Sequence, residues 1–116
     1  MLRAMMKSVS NARPQPNDVF RCLADPSRRK MLALLARGEL PLNRITARFD
    51  MSRPAVIKHL RVLRAANLVV VRRRGRERIH HLNAAPLRAV ENWLSRFEVF
   101  WENSLQKLKR QVESEL

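Results

Sequence analysis

Ser52-Arg53-Pro54-Ala55-Val56-Ile57-Lys58-His59-Leu60-Arg61-Val62-Leu63-Arg64-Ala65-Ala66-Asn67-Leu68-Val69-Val70-Val71-Arg72-Arg73-Arg74-Gly75-Arg76-Glu77-Arg78-Ile79-His80-His81-Leu82 is the stretch that decides the fold. Ser52 is an N-cap residue with a proline close behind at Pro54, the usual start of a helix. Val56, Leu60 and Leu63 then fall at i, i+4 and i+7, one apolar face of a helix over residues 53–65. The opposite face carries Pro54, Lys58 and Arg61, with Ile57 and Arg64 on one shoulder. Asn67 ends the helix in the left-handed region. Residues 68–71 are a β-branched strand, residues 72–76 a turn with Gly75 near its tip, and residues 77–82 a returning strand with Ile79 facing inward. The spacing predicts a helix followed by a hairpin tipped with arginines.

Upstream, the pattern is helical. Asp18 can cap a short helix carrying Val19, Phe20 and Leu23. Asp25-Pro26 is a second helix start, followed by Met31, Leu32, Leu34 and Leu35 on a broad apolar face and by Gly38 as a left-handed stop. A third helix is expected over residues 43–49, closed by a tight turn at Asp50-Met51. Residues 1–17 show no period and contain Pro14 and Pro16; they read as a flexible segment preceding one domain over residues 18–116.

Downstream, Pro86 opens a last helix whose period continues unbroken to the end of the chain. Leu87, Leu94, Trp101 and Leu108 are seven apart, Val90 and Phe97 fall three after the first two, and Leu105 and Val112 flank the same stripe. Such a helix is about 45 Å long at 1.5 Å per residue, whereas a domain of this length has a radius of gyration near 13 Å. One domain cannot cover that stripe, so Leu94, Phe97, Trp101, Leu105 and Leu108 are expected to pack on a second copy.

The chain has 116 residues, 24 Lys and Arg, 10 Asp and Glu, and a net charge of +14. The charge is uneven. Residues 1–51 hold ten basic and four acidic side chains, residues 52–83 hold nine and one, and residues 84–116 hold five of each. Positive charge concentrated in the middle third and absent on balance from the last points to one face that binds phosphates. The 46% hydrophobic content is too high for a disordered basic tail. A single cysteine excludes an internal disulfide framework and a four-cysteine zinc site, and two glycines are too few for a phosphate loop. No apolar run reaches the roughly 18 residues of a membrane span, and no signal peptide is evident. The expectation is a cytoplasmic protein without a cofactor whose partner is nucleic acid.

Helix, helix, helix, turn, basic helix, basic hairpin is the order of a winged helix-turn-helix. The fold class is therefore mainly α with a small β-hairpin, extended by a long C-terminal dimerisation helix. A helix fits the major groove of double-stranded DNA, and an arginine hairpin reaches neighbouring phosphates or the minor groove. The candidate DNA-binding residues are Ser52, Arg53, Pro54, Ile57, Lys58 and Arg61 on the helix, and Arg72, Arg73, Arg74, Arg76 and Arg78 on the wing.

These residues also resemble a known family. Val19-Phe20-Arg21-Cys22-Leu23-Ala24-Asp25-Pro26-Ser27-Arg28 is similar to the opening of ArsR-type repressors, and Met51 to Leu63 resembles their recognition helix. Ala66-Asn67-Leu68-Val69 with Arg73-Arg74-Gly75-Arg76 resembles the entry to their wing. The resemblance implies a homodimeric repressor on a two-fold symmetric operator, with the first helix (Val19, Phe20) and the last building the dimer. The thiolate site of arsenic and cadmium sensors in that family is a Cys-x-Cys after Glu-Leu. Here Glu39-Leu40 is followed by Pro41-Leu42-Asn43. The family's zinc site needs Asp and His on the last helix, and residues 82–116 contain neither, nor Cys. The chain thus resembles a metal-independent branch, as do Trp93, Phe100-Trp101-Glu102 and Leu105. Arg53 stands where the family often has Gln, and Ile57 where it often has Ser, so the operator does not transfer from other members.

Other readings of single residues are blander. His59 is either a satisfied structural histidine or a phosphate donor. His80 and His81 point to opposite faces of a strand and do not share a metal. Cys22 reads as a core thiol. No nucleophile, base and orienting group occur together, so no enzyme is expected. The competing function is an architectural, low-specificity DNA-binding protein, and an organic effector held between the dimer helices stays open.

Overall fold

Helix starts are written into the sequence as side-chain acceptors followed by proline, and the computed structural model, which describes residues 16–115, uses both of them. Helix α1 spans Pro16–Leu23. Helix α2 spans Pro26–Ala36; the Asp25 carboxylate accepts the backbone N–H of Arg28 at 3.0 Å, and Pro26 occupies the first turn, where a missing N–H costs nothing. Strand β1 is Leu40–Pro41 and helix α3 is Leu42–Thr46. Helix α4 spans Arg53–Ala65, with the Ser52 hydroxyl accepting the N–H of Ala55 at 3.3 Å. Strands β2 (Val69–Arg74) and β3 (Glu77–Leu82) form the hairpin. A 3-10 turn, Ala85–Leu87, leads into α5 (Arg88–Ser95) and α6 (Glu98–Glu115).

The core lies where α1 to α4 meet the hairpin. Val19 and Cys22 of α1, Met31, Leu32 and Leu35 of α2, Ile45 of α3, and Val56, Leu60 and Leu63 of α4 pack with Leu68 and Val69. The end of α4 is fixed by Asn67 at φ 61°, with Asn67 N–H on the Arg64 carbonyl and Leu68 N–H on the Leu63 carbonyl, both at 3.0 Å. This is the Schellman pattern, and it aims the chain straight into β2. The sheet order is β1-β3-β2, antiparallel, with Leu40 opposite His80 and Val69 opposite Leu82.

Several expectations need correction. Strand β1 has no counterpart among them, because two residues carry no period. Helix α3 ends at Thr46 rather than running to residue 49, since Arg48 and Phe49 turn back with i→i+3 hydrogen bonds. Gly38 does end α2, but at φ 156° rather than in the left-handed cap region. Arg72, Arg73 and Arg74 belong to β2, and only Gly75-Arg76 forms the turn, with Gly75 at φ 64° where a two-residue hairpin wants glycine. Pro16 and Asn17 open α1, while residues 1–15 of the expected flexible segment lie outside the described residues. Val19 is 3% exposed inside the core and is not a surface for a partner.

The last helix is not continuous. The Ser95 hydroxyl donates to the Asn92 carbonyl at 2.7 Å, the acceptor that Arg96 N–H would otherwise use. Arg96 and Phe97 N–H go to Trp93 and Leu94 carbonyls instead, a tightened turn that separates α5 from α6. The docked part is the 3-10 turn with α5: Leu87 and Val90 pack on the core, and Trp93 meets Phe20 of α1 edge-on at 5.9 Å.

Candidate nucleic-acid interface

The interface is organised by the two faces of α4. Val56, Leu60 and Leu63 point inward and hold the helix. Arg53, Pro54, Lys58 and Arg61 are exposed on the other side, as the spacing predicts. Ser52 is exposed at the start of the helix; its oxygen accepts from Ala55 N–H, which leaves the hydroxyl proton free to donate outward. Ile57 departs from a fully outward position. It is half-buried and lines a narrow cleft of about 220 Å³ with Arg61, Arg64, Val71, Arg78 and His80, between α4 and the wing.

The wing stands beside that face. Arg72, Arg73, Arg74, Arg76 and Arg78 are all exposed. Arg73 lies directly opposite Arg78 across the strands. Like charges so placed repel, and a polyanion relieves the repulsion. A second cleft of about 400 Å³ joins the two elements, lined by Asn43, Arg53, Arg76, Glu77 and Arg78. Arginines from the first turn of α4 and from the hairpin thus converge on one opening.

Arg74 differs from the other wing arginines. Its Nη2 donates to Glu39 Oε1 at 2.7 Å, and Glu39 Oε2 lies 3.3 Å from His81 Nδ1. The Arg74 hydrogen bond holds the Glu39 carboxyl below its ordinary range. Register explains the cluster: Leu40 pairs with His80, so Glu39 arrives beside His81 at the base of the wing. Sequence reasoning misses Glu39 as an anchor because its partners lie 35 and 42 residues away.

His59 resolves toward the structural reading. It is half-buried, with Nδ1 3.4 Å from Arg28 Nη1 and 3.8 Å from Asp25 Oδ2. The Asp25 carboxyl sits below its ordinary value, first because Arg28 N–H donates to it. Cys22 is buried, and burial pushes its thiol up, as expected of a core thiol. His80 is buried and His81 is half-buried on the other face. Among the described residues no three His, Cys, Asp or Glu side chains gather so as to hold a metal ion. The candidate dimer residues other than Val19 lie on the surface: Phe20, Leu94, Phe97, Trp101, Leu105 and Leu108 are between 36% and 65% exposed.

Known proteins share this arrangement. The sequence pattern of a family described as bacterial regulatory protein, arsR family, matches residues 25–71, from the cap of α2 into the wing. The transcriptional repressor SdpR of Bacillus subtilis is 34% identical over 77% of this chain and 99% of its own length. The HTH-type transcriptional regulator Rv2034 of Mycobacterium tuberculosis is 35% identical over 86% of this chain and 91% of its own. A solved ArsR-like transcriptional regulator from Rhodococcus sp. RHA1 superposes with a TM-score of 0.63 at 30% identity, covering 82% of this chain and 90% of that one. With an exposed basic face on a capped helix, a basic wing beside it and these relatives across nearly the whole fold, the chain belongs to the ArsR family of bacterial regulatory proteins, DNA-binding transcriptional regulators on a winged helix-turn-helix.

Proposed function

We propose that the chain is a homodimeric repressor that occupies a two-fold symmetric operator in the cytoplasm and needs no metal to do so. The observation that carries this reading is the geometry of α4, whose packed face is opposite Arg53, Lys58 and Arg61. Such a helix enters the major groove with its first turn against base edges. Arg53 reads a guanine, Lys58, Arg61 and Ser52 hold phosphates or bases, and Pro54 and Ile57 supply apolar contact on the two sides. Arg72, Arg73, Arg76 and Arg78 contact the flanking backbone. The exposed stripe of α5 and α6 supports a second copy, and symmetry between two copies supports a symmetric operator. Metal independence is supported by the residues at both familiar ligand positions, Pro41 and Asn43 for the thiolates and a C-terminal third without Asp, His or Cys.

The test is a selection from randomised duplex DNA at about 0.2 M salt with non-specific competitor, where the electrostatic part of binding is weak. The wild type is expected to select a palindromic sequence. Arg53→Ala is expected to lose about 1–3 kcal/mol on that sequence and to relax discrimination at one base pair in each half-site. A wild type that selects nothing is an architectural protein, and an Arg53→Ala variant with unchanged preference removes Arg53 from base reading.

A further inference from the structure

Arg28 is a cation set apart from the basic faces of α4 and the wing. It stands in the first turn of α2, and its guanidinium is committed on three sides. Nε donates to the Cys22 carbonyl at 2.9 Å, and Nη2 donates to the Arg21 carbonyl at 3.1 Å. Both acceptors belong to the last turn of α1, where the Arg21 carbonyl also takes the Ala24 N–H at 3.3 Å. The third contact crosses to α4, with Nη1 3.4 Å from His59 Nδ1. A guanidinium only donates, so a hydrogen bond from Arg28 requires His59 Nδ1 as the acceptor, the role it has in the tautomer with its proton on Nε2. Asp25 braces the junction: its Oδ2 takes Arg28 N–H at 3.0 Å and stands 3.8 Å from the same imidazole nitrogen.

The same end of α1 touches α4 a second time, through the Cys22 thiol, which donates to the Val62 carbonyl at 3.6 Å. On its other side α1 holds α5 through Phe20 and Trp93. One path from the C-terminal helices to α4 therefore runs through α1, and the Arg28 guanidinium is its charged link, beside the direct tie of Asn83 to Asn67 and Leu68 at the end of α4. His59 sits one residue from Lys58 and two from Arg61 on α4, so a tilt at His59 displaces the side chains that face outward.

We propose that Arg28 is a positioning residue for DNA reading: it ties the end of α1 to His59 and thereby fixes the orientation of α4 relative to the C-terminal helices, without touching DNA. The inference rests on the reading of α4 as the base-reading helix. Its chemistry differs from that of a phosphate contact. Removing a phosphate contact weakens all sequences alike and lowers the salt slope. Removing a positioning contact blurs base preference and leaves the salt slope in place.

The experiment compares wild type, Arg28→Gln, Arg28→Lys, His59→Leu and His59→Gln by selection from randomised duplex DNA and by salt titration on the selected and on scrambled duplexes. Arg28→Gln and His59→Leu are expected to lose at least tenfold in the ratio of selected to scrambled affinity, with scrambled affinity and salt slope unchanged. Arg28→Lys is expected to recover little, because one ammonium cannot fork to three acceptors. His59→Gln, whose amide oxygen still accepts, is expected to recover most of the discrimination. In the folded wild type, ¹⁵N spectra should show His59 with its proton on Nε2, and Arg28→Gln should abolish that preference. His59 is half-buried, so its variants test the tie even if Arg28→Gln fails to fold. A lowered salt slope in Arg28→Gln, or wild-type discrimination in both His59→Leu and Arg28→Gln, overturns the inference. A wild type with no base preference overturns the underlying repressor reading instead, which separates the two failures.

Discussion

Single residues carry a pH dependence that can be assigned. His80 is 6% exposed and its Nδ1 meets the Arg78 carbonyl at 3.3 Å. Burial, with help from the nearby cations Arg64 and Arg78, pushes its pKa below the ordinary value of 6.5. The unfolded chain therefore takes up a proton that the folded chain refuses. Stability is complete above about pH 6.5 and falls as pH drops from there through the folded pKa. Melting temperature is expected to decline between about pH 7 and pH 5 in wild type and to decline less in a folded His80→Leu variant. Asp25 and Glu39, whose carboxyls are held low, stay ionised in that window and lose their contribution only in stronger acid. An identical slope in the variant would assign the titration to another group. What the sequence reveals of single residues follows locality. Ser52 and Asn67 are readable because a cap or a left-handed end acts on the adjacent backbone. Arg28 and Glu39 are not, because their partners are carbonyls and side chains brought in by tertiary structure.

Elements are readable in proportion to the agreement of their signals. Helix α4 falls at Arg53–Ala65 and β3 at Glu77–Leu82 as the sequence implies, because cap, proline and period agree in one and alternation and turn agree in the other. Strand β1 lacks the length for any period. Arg72 to Arg74 read as turn because arginine is a weak strand signal and Gly75 draws the boundary toward itself; pairing with residues 77–79 overrides that preference. The extension of β2 changes what the wing does. Arg72, Arg73, Arg74 and Arg78 stand on the paired strands and only Arg76 on the tip, and they divide by partner. Replacing Arg73 and Arg76 by Ala is expected to weaken binding to every duplex alike and to lower the slope of log affinity against log salt by about 0.9 for each phosphate no longer neutralised. Arg74→Ala, whose guanidinium is engaged by Glu39, is expected to change that slope least. Titration of both variants on one duplex from about 50 to 200 mM salt checks the division, and an unchanged slope in the double variant would place the hairpin away from the backbone.

The whole molecule is extended for its length. Its radius of gyration is 19.3 Å and its extents are 62 × 43 × 23 Å, against about 13 Å expected for a compact chain of this length. The excess is α6, none of whose residues is buried. The helical period of the C-terminal third foretells an uncovered stripe but not the interruption at Arg96-Phe97, since no proline or glycine marks it. Two surfaces result: a groove lined by Leu87, Val90, Leu94 and Trp101 with Arg88, Glu91 and Glu98 among its lining, and the outer run of Leu105, Leu108 and Val112. A single winged unit reads a half-site too short to stand out among roughly a million competitors. Two units on a two-fold axis set their helices about 34 Å apart in successive major grooves, which requires a stiff spacer. Residues 84–116 carry five charges of each sign, so in the proposed dimer two copies would meet there at less electrostatic cost than elsewhere on the chain. Trp101→Ala, and separately truncation before Leu105, are therefore expected to yield folded monomers whose DNA binding is weak and no longer sequence-selective. An aromatic truncated in a packed interface costs about 3–5 kcal/mol, enough to dissociate a micromolar dimer. Sedimentation equilibrium together with competition binding decides it. If both variants stay dimeric and selective, the interface moves to the exposed edge of the Phe20 and Trp93 pair, because Val19 beside it is already spent in the core.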